Sequence, residues 1–170
     1  MVNSADLLVL AWGNSSRGDD GAGPEIARRL RELDKPGVVV VEDMQLQIEH
    51  VADMHSDVPV LFVDASVAIR EGIAIERVWP DDDPSVTTHA VSPAALLKLF
   101  ETAMQAPLPP AYQLHIAANS FELGERAGEL NIEAIERAWR FLTRLLDSPA
   151  ESWTDSLEQS RSDQSARASA

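Results

Sequence analysis

Acidic side chains follow three apolar segments of this 170-residue chain, at the point where each segment ends. They are Asp19 and Asp20 after LLVLAW, Asp43 after GVVVVE and Asp64 after VPVLFV. If the segments are parallel strands of an open α/β sheet, the acids meet at the edge where such sheets bind ligands. His89, in TTHAVSP, precedes a predicted helix and can reach the same edge. Two carboxylates and an imidazole, without a thiolate, suit a borderline divalent metal and leave coordination positions open.

Each of these residues also has a purely structural interpretation. Asp19 or Asp20 can cap the following helix and complement its dipole. Asp64 can start a turn, although an acid after PVLFV is costly to desolvate unless it has a partner. A lone histidine such as His89 is more often structural or exposed than a metal ligand. The remaining candidates are interpreted as structural or solvated: His50 and His55 on the solvent side of a helix, His115 within a strand, and an acidic loop at 81–83.

The elements that must position these residues alternate between strands and helices. Apolar runs predict five strands, at 7–12, 37–42, 58–65, 73–79 and 111–118. Apolar residues at helical spacing predict four helices, at 23–33, 45–55, 92–104 and 131–146. Pro24 falls in the first turn of the first helix, and Ser92 with Pro93 forms a start signal for the third.

This order of elements predicts a three-layer α/β fold. The link between the third and fourth strands is too short for a crossover helix, so the fourth strand is expected to run antiparallel to its predecessor. The sheet is then five-stranded and mostly parallel, with one antiparallel strand and helices on both faces. Residues 1–147 form a single domain, whereas the serine-rich segment 148–170 is expected to be a disordered or weakly helical tail.

Composition excludes several classes of function. A formal charge of −14 repels phosphate backbones, which argues against a nucleic-acid partner. The chain has no cysteine, so disulfides, thiolate metal sites and a cysteine nucleophile are excluded. The N-terminal apolar run is too short for a membrane span and lacks a basic flank, so we expect a cytoplasmic protein. Walker-type, dinucleotide-binding and G-x-S-x-G motifs are absent. The residues alone predict an α/β protein with a rim of acids that could bind a metal.

A resemblance to a known family extends this interpretation. The segment GNSSRGDDGAGPEIARRL after an apolar strand resembles the opening signature of the [NiFe]-hydrogenase maturation endopeptidases. The resemblance continues in collinear order with VPVLFVDAS, THAVSPAALL and ANSFELGERAGELN, over residues 6–146. Many members carry a Gly-Gly-Thr-like turn after the acid that matches Asp43. This chain has QLQIEH nearby instead, which resembles the branch serving the NAD-coupled bidirectional hydrogenases.

The resemblance implies a function and a metal. It implies an endopeptidase that removes the C-terminal extension of the hydrogenase large-subunit precursor once nickel has been inserted. By position in the family's motifs, Asp20, Asp64 and His89 would recognise nickel. That nickel would belong to the substrate and would not be held tightly by the free enzyme.

The same resemblance also implies roles for the other residues of the motifs. Gly13 and Asn14 would form the turn after the first strand, and Asp19 would cap the helix while Asp20 would face the metal. Since no nucleophile stands out, water would attack the peptide, with Asp20 or Asp43 as its base in an aspartyl-type reaction.

Two other classes of function remain open at this point. A non-catalytic nickel-binding chaperone would use the same three ligands without cleaving a peptide. A peptidyl-tRNA hydrolase-like enzyme would share the fold, although the charge of −14 argues against an RNA substrate. A single docking face for the precursor predicts a monomer.

Overall fold

The computed structural model describes residues 5–81 and 91–168. In chain order, the strands are β1 (Leu7–Trp12), β2 (Val38–Asp43), β3 (Val60–Ser66), β4 (Ile73–Arg77) and β5 (Ala111–Ala117). The helices are α1 (Ala22–Leu33), α2 (Pro93–Met104), α3 (Glu129–Asp147) and α4 (Trp153–Ala168). Short 3-10 turns occupy Gly18–Gly21, Ile48–Asp53 and Ala150–Ser152.

The five strands form one mixed sheet, in the order β2-β1-β3-β5-β4. Strands β2, β1, β3 and β5 are parallel, and β4 is antiparallel to β5. The predicted fold class is therefore confirmed, including the direction of β4. However, β5 lies between β3 and β4, so β4 does not pair with its predecessor in the chain.

Two apolar cores cover the two faces of the sheet. In β1, Leu7 and Val9 pack toward α1 and α3, whereas Leu8 and Leu10 pack toward α2 and the Ile48–Asp53 turn. This double burial explains why β1 is a continuous apolar run without alternation. Helix α2 begins as predicted, because the Ser92 hydroxyl accepts a hydrogen bond from the Ala95 N–H at 3.2 Å.

The segment 45–55 is not the helix that its apolar spacing predicts. Only Ile48–Asp53 is helical, as a short 3-10 turn, and Met54 is already extended. Val51 and Met54 are buried while Ile48 is 44% exposed, so the segment packs on the sheet as a loop with one turn. The prediction was wrong because apolar spacing over so short a segment fits a tight turn on a sheet as well as it fits a helix.

The C-terminal segment also differs from its prediction as a disordered or weakly helical tail. Residues Trp153–Ala168 form helix α4, in which Trp153 and Leu157 are fully buried in the core on the α1 and α3 face. The Gln164 side-chain oxygen accepts a hydrogen bond from the Ile75 N–H of edge strand β4 at 2.8 Å. Helix α4 therefore protects an edge of the sheet that would otherwise expose backbone groups.

The helices within 5–81 and 91–168 include none with the length and apolar character that crossing a membrane requires.

Candidate functional site

The loop after β1 holds the Asp20 carboxylate in a fixed place. Gly13 has a φ of +145°, and a Cβ there would lie 2.0 Å from the Asp20 backbone oxygen, so only glycine allows the loop to close this tightly. The Asn14 N–H donates to Asp20 Oδ2 at 3.0 Å. The predicted turn formed by Gly13 and Asn14 therefore orients Asp20 directly.

Asp20 and Asp64 share one hollow at the carboxyl edge of the sheet. The hollow has a volume of about 410 Å³ and is lined by Asp20, Asp64, Trp12, Asn14, Arg17 and Met44 among others; we call it the acid hollow. Asp64 lies two residues before the end of β3, slightly inside the strand end that the sequence predicts. The sheet topology thus brings together two of the three residues expected to recognise a metal.

The environment of Asp64 disfavours its charged form. Burial at the sheet edge, together with the nearby Asp20 charge, raises its pKa from 3.8 to about 7. Hydrogen bonds from the Ala65 backbone and the Trp12 side chain oppose this rise only in part. A carboxylic acid with a pKa near neutrality, beside a second carboxylate in a hollow, is a common feature of functional sites.

Asp43 lies in an adjacent hollow and does not line the acid hollow. This second hollow of about 350 Å³ is lined by Asp43, Gly13, Asn14 and Met44 among others, and we call it the Asp43 hollow. Asn14 and Met44 line both hollows, and the Gly13 N–H donates to the Asp43 backbone oxygen at 3.2 Å, which ties the two strand ends together. A chain lying across Asn14 would contact both hollows.

Asp19 does not cap α1, contrary to the prediction. Helix α1 starts after Gly21 without a side-chain cap. The Asp19 carboxylate, 3% exposed, instead accepts N–H groups from Asn119 at 2.7 Å, Ser120 at 3.3 Å and Gly128 at 2.7 Å. Through these hydrogen bonds, Asp19 holds the loop after β5 and the start of α3 next to the loop that carries Asp20.

One buried residue beside the site was missed by sequence reasoning. His50 was expected on the solvent side of a helix, yet it is only 8% exposed, and its Nε2 lies 3.6 Å from Asp43 Oδ2. The available signal was the pair Gln47 and His50 at capping-box spacing shortly after Asp43. His55 is exposed as predicted, although it follows the 3-10 turn and does not lie on a helix, and His115 lies within β5 as predicted.

The described residues supply part of the predicted metal site. His89 lies outside the described residues, as do two of the loop acids at 81–83. Within 5–81 and 91–168, no three acids or histidines are grouped closely enough to hold a metal ion. Asp20 and Asp64 supply carboxylate oxygens in a hollow where a divalent cation would relieve their mutual repulsion. The residues present therefore fit a partial site that needs ligands from elsewhere.

A separate hollow of about 570 Å³ is a different feature. It lies between α1 and α3, and its charged groups are already paired. Arg28 and Arg29 both contact Glu25, and Arg29 also contacts Glu136. It contains no group with the buried, unpaired charge that marks the acid hollow.

The fold is similar to those of hydrogenase maturation proteases of known structure. The [NiFe]-hydrogenase maturation protease HycI from Thermococcus kodakarensis KOD1 matches with a TM-score of 0.66 and 24% identity, over 84% of this chain and 92% of that one. The endopeptidase HycI from Escherichia coli matches with a TM-score of 0.63 and 22% identity, over 85% of this chain and 92% of that one.

A third structure gives the same result. The hydrogenase maturating endopeptidase HybD from Escherichia coli matches with a TM-score of 0.61 and 21% identity, over 83% of this chain and 92% of that one. No protein-family model and no curated protein matches the chain. At these identities the comparison shows that the chain has the fold of the hydrogenase maturation proteases.

Proposed function

We propose that this protein is an endopeptidase that removes the C-terminal extension of a nickel-loaded [NiFe]-hydrogenase large-subunit precursor. The observation that carries the proposal is the shared hollow of Asp20 and Asp64, at the carboxyl edge of a sheet with the maturation-protease fold. The motif resemblance over residues 6–146 supports it independently. QLQIEH after Asp43 favours a NAD-coupled bidirectional hydrogenase as the source of the substrate, and we expect a cytoplasmic monomer.

We assign recognition of the nickel-loaded precursor to the acid hollow. Asp20 and Asp64 would contact the nickel carried by the precursor, with His89 as a third ligand by its place in the motif. A divalent ion favours the ionised form of Asp64, which the hollow otherwise disfavours. A nickel-loaded precursor is therefore bound more strongly than a metal-free one, and the enzyme needs no metal of its own.

The chemical step needs a base and a proton donor, because the chain has no cysteine and no nucleophile motif. With Asp20 engaged by nickel, Asp43 in the adjacent hollow is the base that we assign. Water attacks the scissile carbonyl carbon and gives its proton to Asp43. The C–N bond then breaks, and the proton passes to the departing amine nitrogen.

The test is a processing assay with purified precursor. Nickel-loaded and metal-free forms are incubated with the protein, and the loss of the C-terminal extension is followed by mass spectrometry. We expect cleavage of the loaded form only. Asp20→Asn, Asp64→Asn and His89→Ala should each slow it by about 100-fold, the upper end of the range for a lost metal contact or base. Asp53→Asn, which changes an exposed acid on a neighbouring loop, is the matched control.

Three outcomes would contradict parts of this proposal. Equal processing of the metal-free form would exclude nickel recognition, and normal processing by His89→Ala would remove that residue from the site. Binding of the loaded precursor without cleavage would identify the nickel-binding chaperone instead.

A further inference from the structure

The Asp43 carboxylate is held by donors on both of its oxygens. The Met44 N–H donates to Asp43 Oδ1 at 2.6 Å, and the Gln47 side-chain amide donates to Oδ2 at 3.0 Å. His50 Nε2 faces the same Oδ2 at 3.6 Å. Asp43 is about one-third exposed at its hollow whereas the His50 ring is buried behind it, so the acid is the member of the pair that a substrate can reach.

The hydrogen bonds of His50 determine what it can offer to Asp43. The Gln47 backbone N–H donates to His50 Nδ1 at 2.9 Å, so Nδ1 is an acceptor without a proton. The neutral ring then carries its proton on Nε2, the atom that faces Asp43. A second proton on Nδ1 would break the bond from Gln47. His50 is therefore arranged as a donor toward the carboxylate, not as an acceptor of its proton.

A purely structural role would be limited to the turn itself. At the start of the Ile48–Asp53 turn, the Gln47 N–H donates to His50 Nδ1 and the His50 N–H donates to the Gln47 backbone oxygen at 3.2 Å, and this accounts for Nδ1. It does not account for the placement of Nε2, on a ring that is about one-tenth exposed, facing a carboxylate whose other donors come from the same short loop. Distances of this kind in a free enzyme commonly shorten when the substrate binds.

We propose that His50 is a positioning residue for Asp43. Its Nε2–H holds Oδ2 together with Gln47 and orients the free lone pair of Asp43 toward the attacking water. The role of Asp43 as a base rests on the function proposed above, whereas the 3.6 Å approach of His50 Nε2 to Asp43 Oδ2 does not.

Two neutral amide substitutions separate the two roles of His50. Asparagine places its oxygen where Nδ1 lies and keeps the bond from Gln47, but it has no atom at the Nε2 position. Glutamine reaches that position with an N–H. We expect His50→Asn to lower kcat by about 10-fold, with KM nearly unchanged, and His50→Gln to recover most of that loss. His55→Asn, at an exposed histidine five residues later, is the matched control.

A double variant tests whether His50 acts through Asp43. In an Asp43→Asn background, His50→Asn should cause no further loss, because the group that it positions is gone. Equal losses in His50→Asn and His50→Gln, or a double variant whose loss is the product of the two single losses, would overturn the proposal.

A second measurement is independent of processing. Nitrogen-15 correlation spectra of the histidine rings should show the His50 proton on Nε2, with a proton shift that moves in Asp43→Asn while that of His55 does not. A proton on Nδ1, or a His50 signal insensitive to Asp43→Asn, would overturn the positioning role. If the wild-type protein fails to process loaded precursor, the proposed function fails, and these spectra alone decide whether His50 contacts Asp43.

Discussion

Replacing Asp64 by asparagine should stabilise the protein at neutral and higher pH while slowing its proposed activity by about 100-fold. The folded protein holds the pKa of Asp64 at about 7, against an ordinary value of 3.8. Between these values the unfolded chain ionises Asp64 while the folded protein keeps the proton. Stability therefore falls as pH rises through this window, and it changes no further above about pH 7.

The magnitude follows from the same two pKa values. A rise from 3.8 to about 7 corresponds to about 4 kcal/mol of lost stability when Asp64 is fully ionised, at about 1.4 kcal/mol per pH unit. Because the carboxylate faces a hollow open to water, we expect roughly half of this, about 2 kcal/mol, to be measurable. Asparagine removes the charge and keeps an oxygen that can accept from the Ala65 backbone and the Trp12 side chain.

The assay is urea unfolding of wild type and Asp64→Asn in buffer with a chelator, over a series from about pH 4 to about pH 8. The difference in the free energy of unfolding should grow in favour of the variant up to about pH 7 and then level off. Asp53→Asn should show no such growth. A difference independent of pH, or a wild type that is the more stable protein at about pH 8, would refute the desolvation of Asp64.

Two further predictions concern parts of the structure that support the site. Asp19→Asn should lower the free energy of unfolding by about 1–3 kcal/mol, because an amide cannot accept all three backbone N–H groups that the carboxylate binds. Processing should slow less than in Asp20→Asn; a loss confined to processing, with stability unchanged, would contradict this assignment. Trp153→Ala should cost about 3–5 kcal/mol in chemical denaturation, since Trp153 is 1% exposed. Trp79→Ala, at a tryptophan that is 67% exposed, should cost far less, and equal costs would show that α4 does not dock as described.

The sequence determined most of the sheet and the location of the candidate site. Strands buried on both faces are continuous apolar runs, and this signal is local enough to read directly, as in Leu7–Trp12. An acid at the end of such a run can be placed without knowing any long-range contact, because parallel strands end at one edge. This is why Asp20, Asp43 and Asp64 could be assigned to the rim from the sequence.

Tertiary structure alone decided what each of these residues contacts. Residue type and spacing alone do not distinguish Asp19 from Asp20, and the two differ because Asp19 meets backbone groups about a hundred residues away, at Asn119 and Gly128. The separation of Asp43 into its own hollow depends on Asn14 and Met44, which line both hollows.

The same physical reason explains the two largest departures from the sequence predictions. His50 is buried because a short turn packs on the sheet beside Asp43, and the apolar spacing of the segment 45–55 could not show this. The segment after 148 is polar overall, yet Trp153 and Leu157 are buried in the core, and the Gln164 side chain accepts from the edge strand β4. Average composition measures how much apolar surface a segment carries, whereas docking depends on whether a few side chains meet a complementary surface that distant parts of the chain provide.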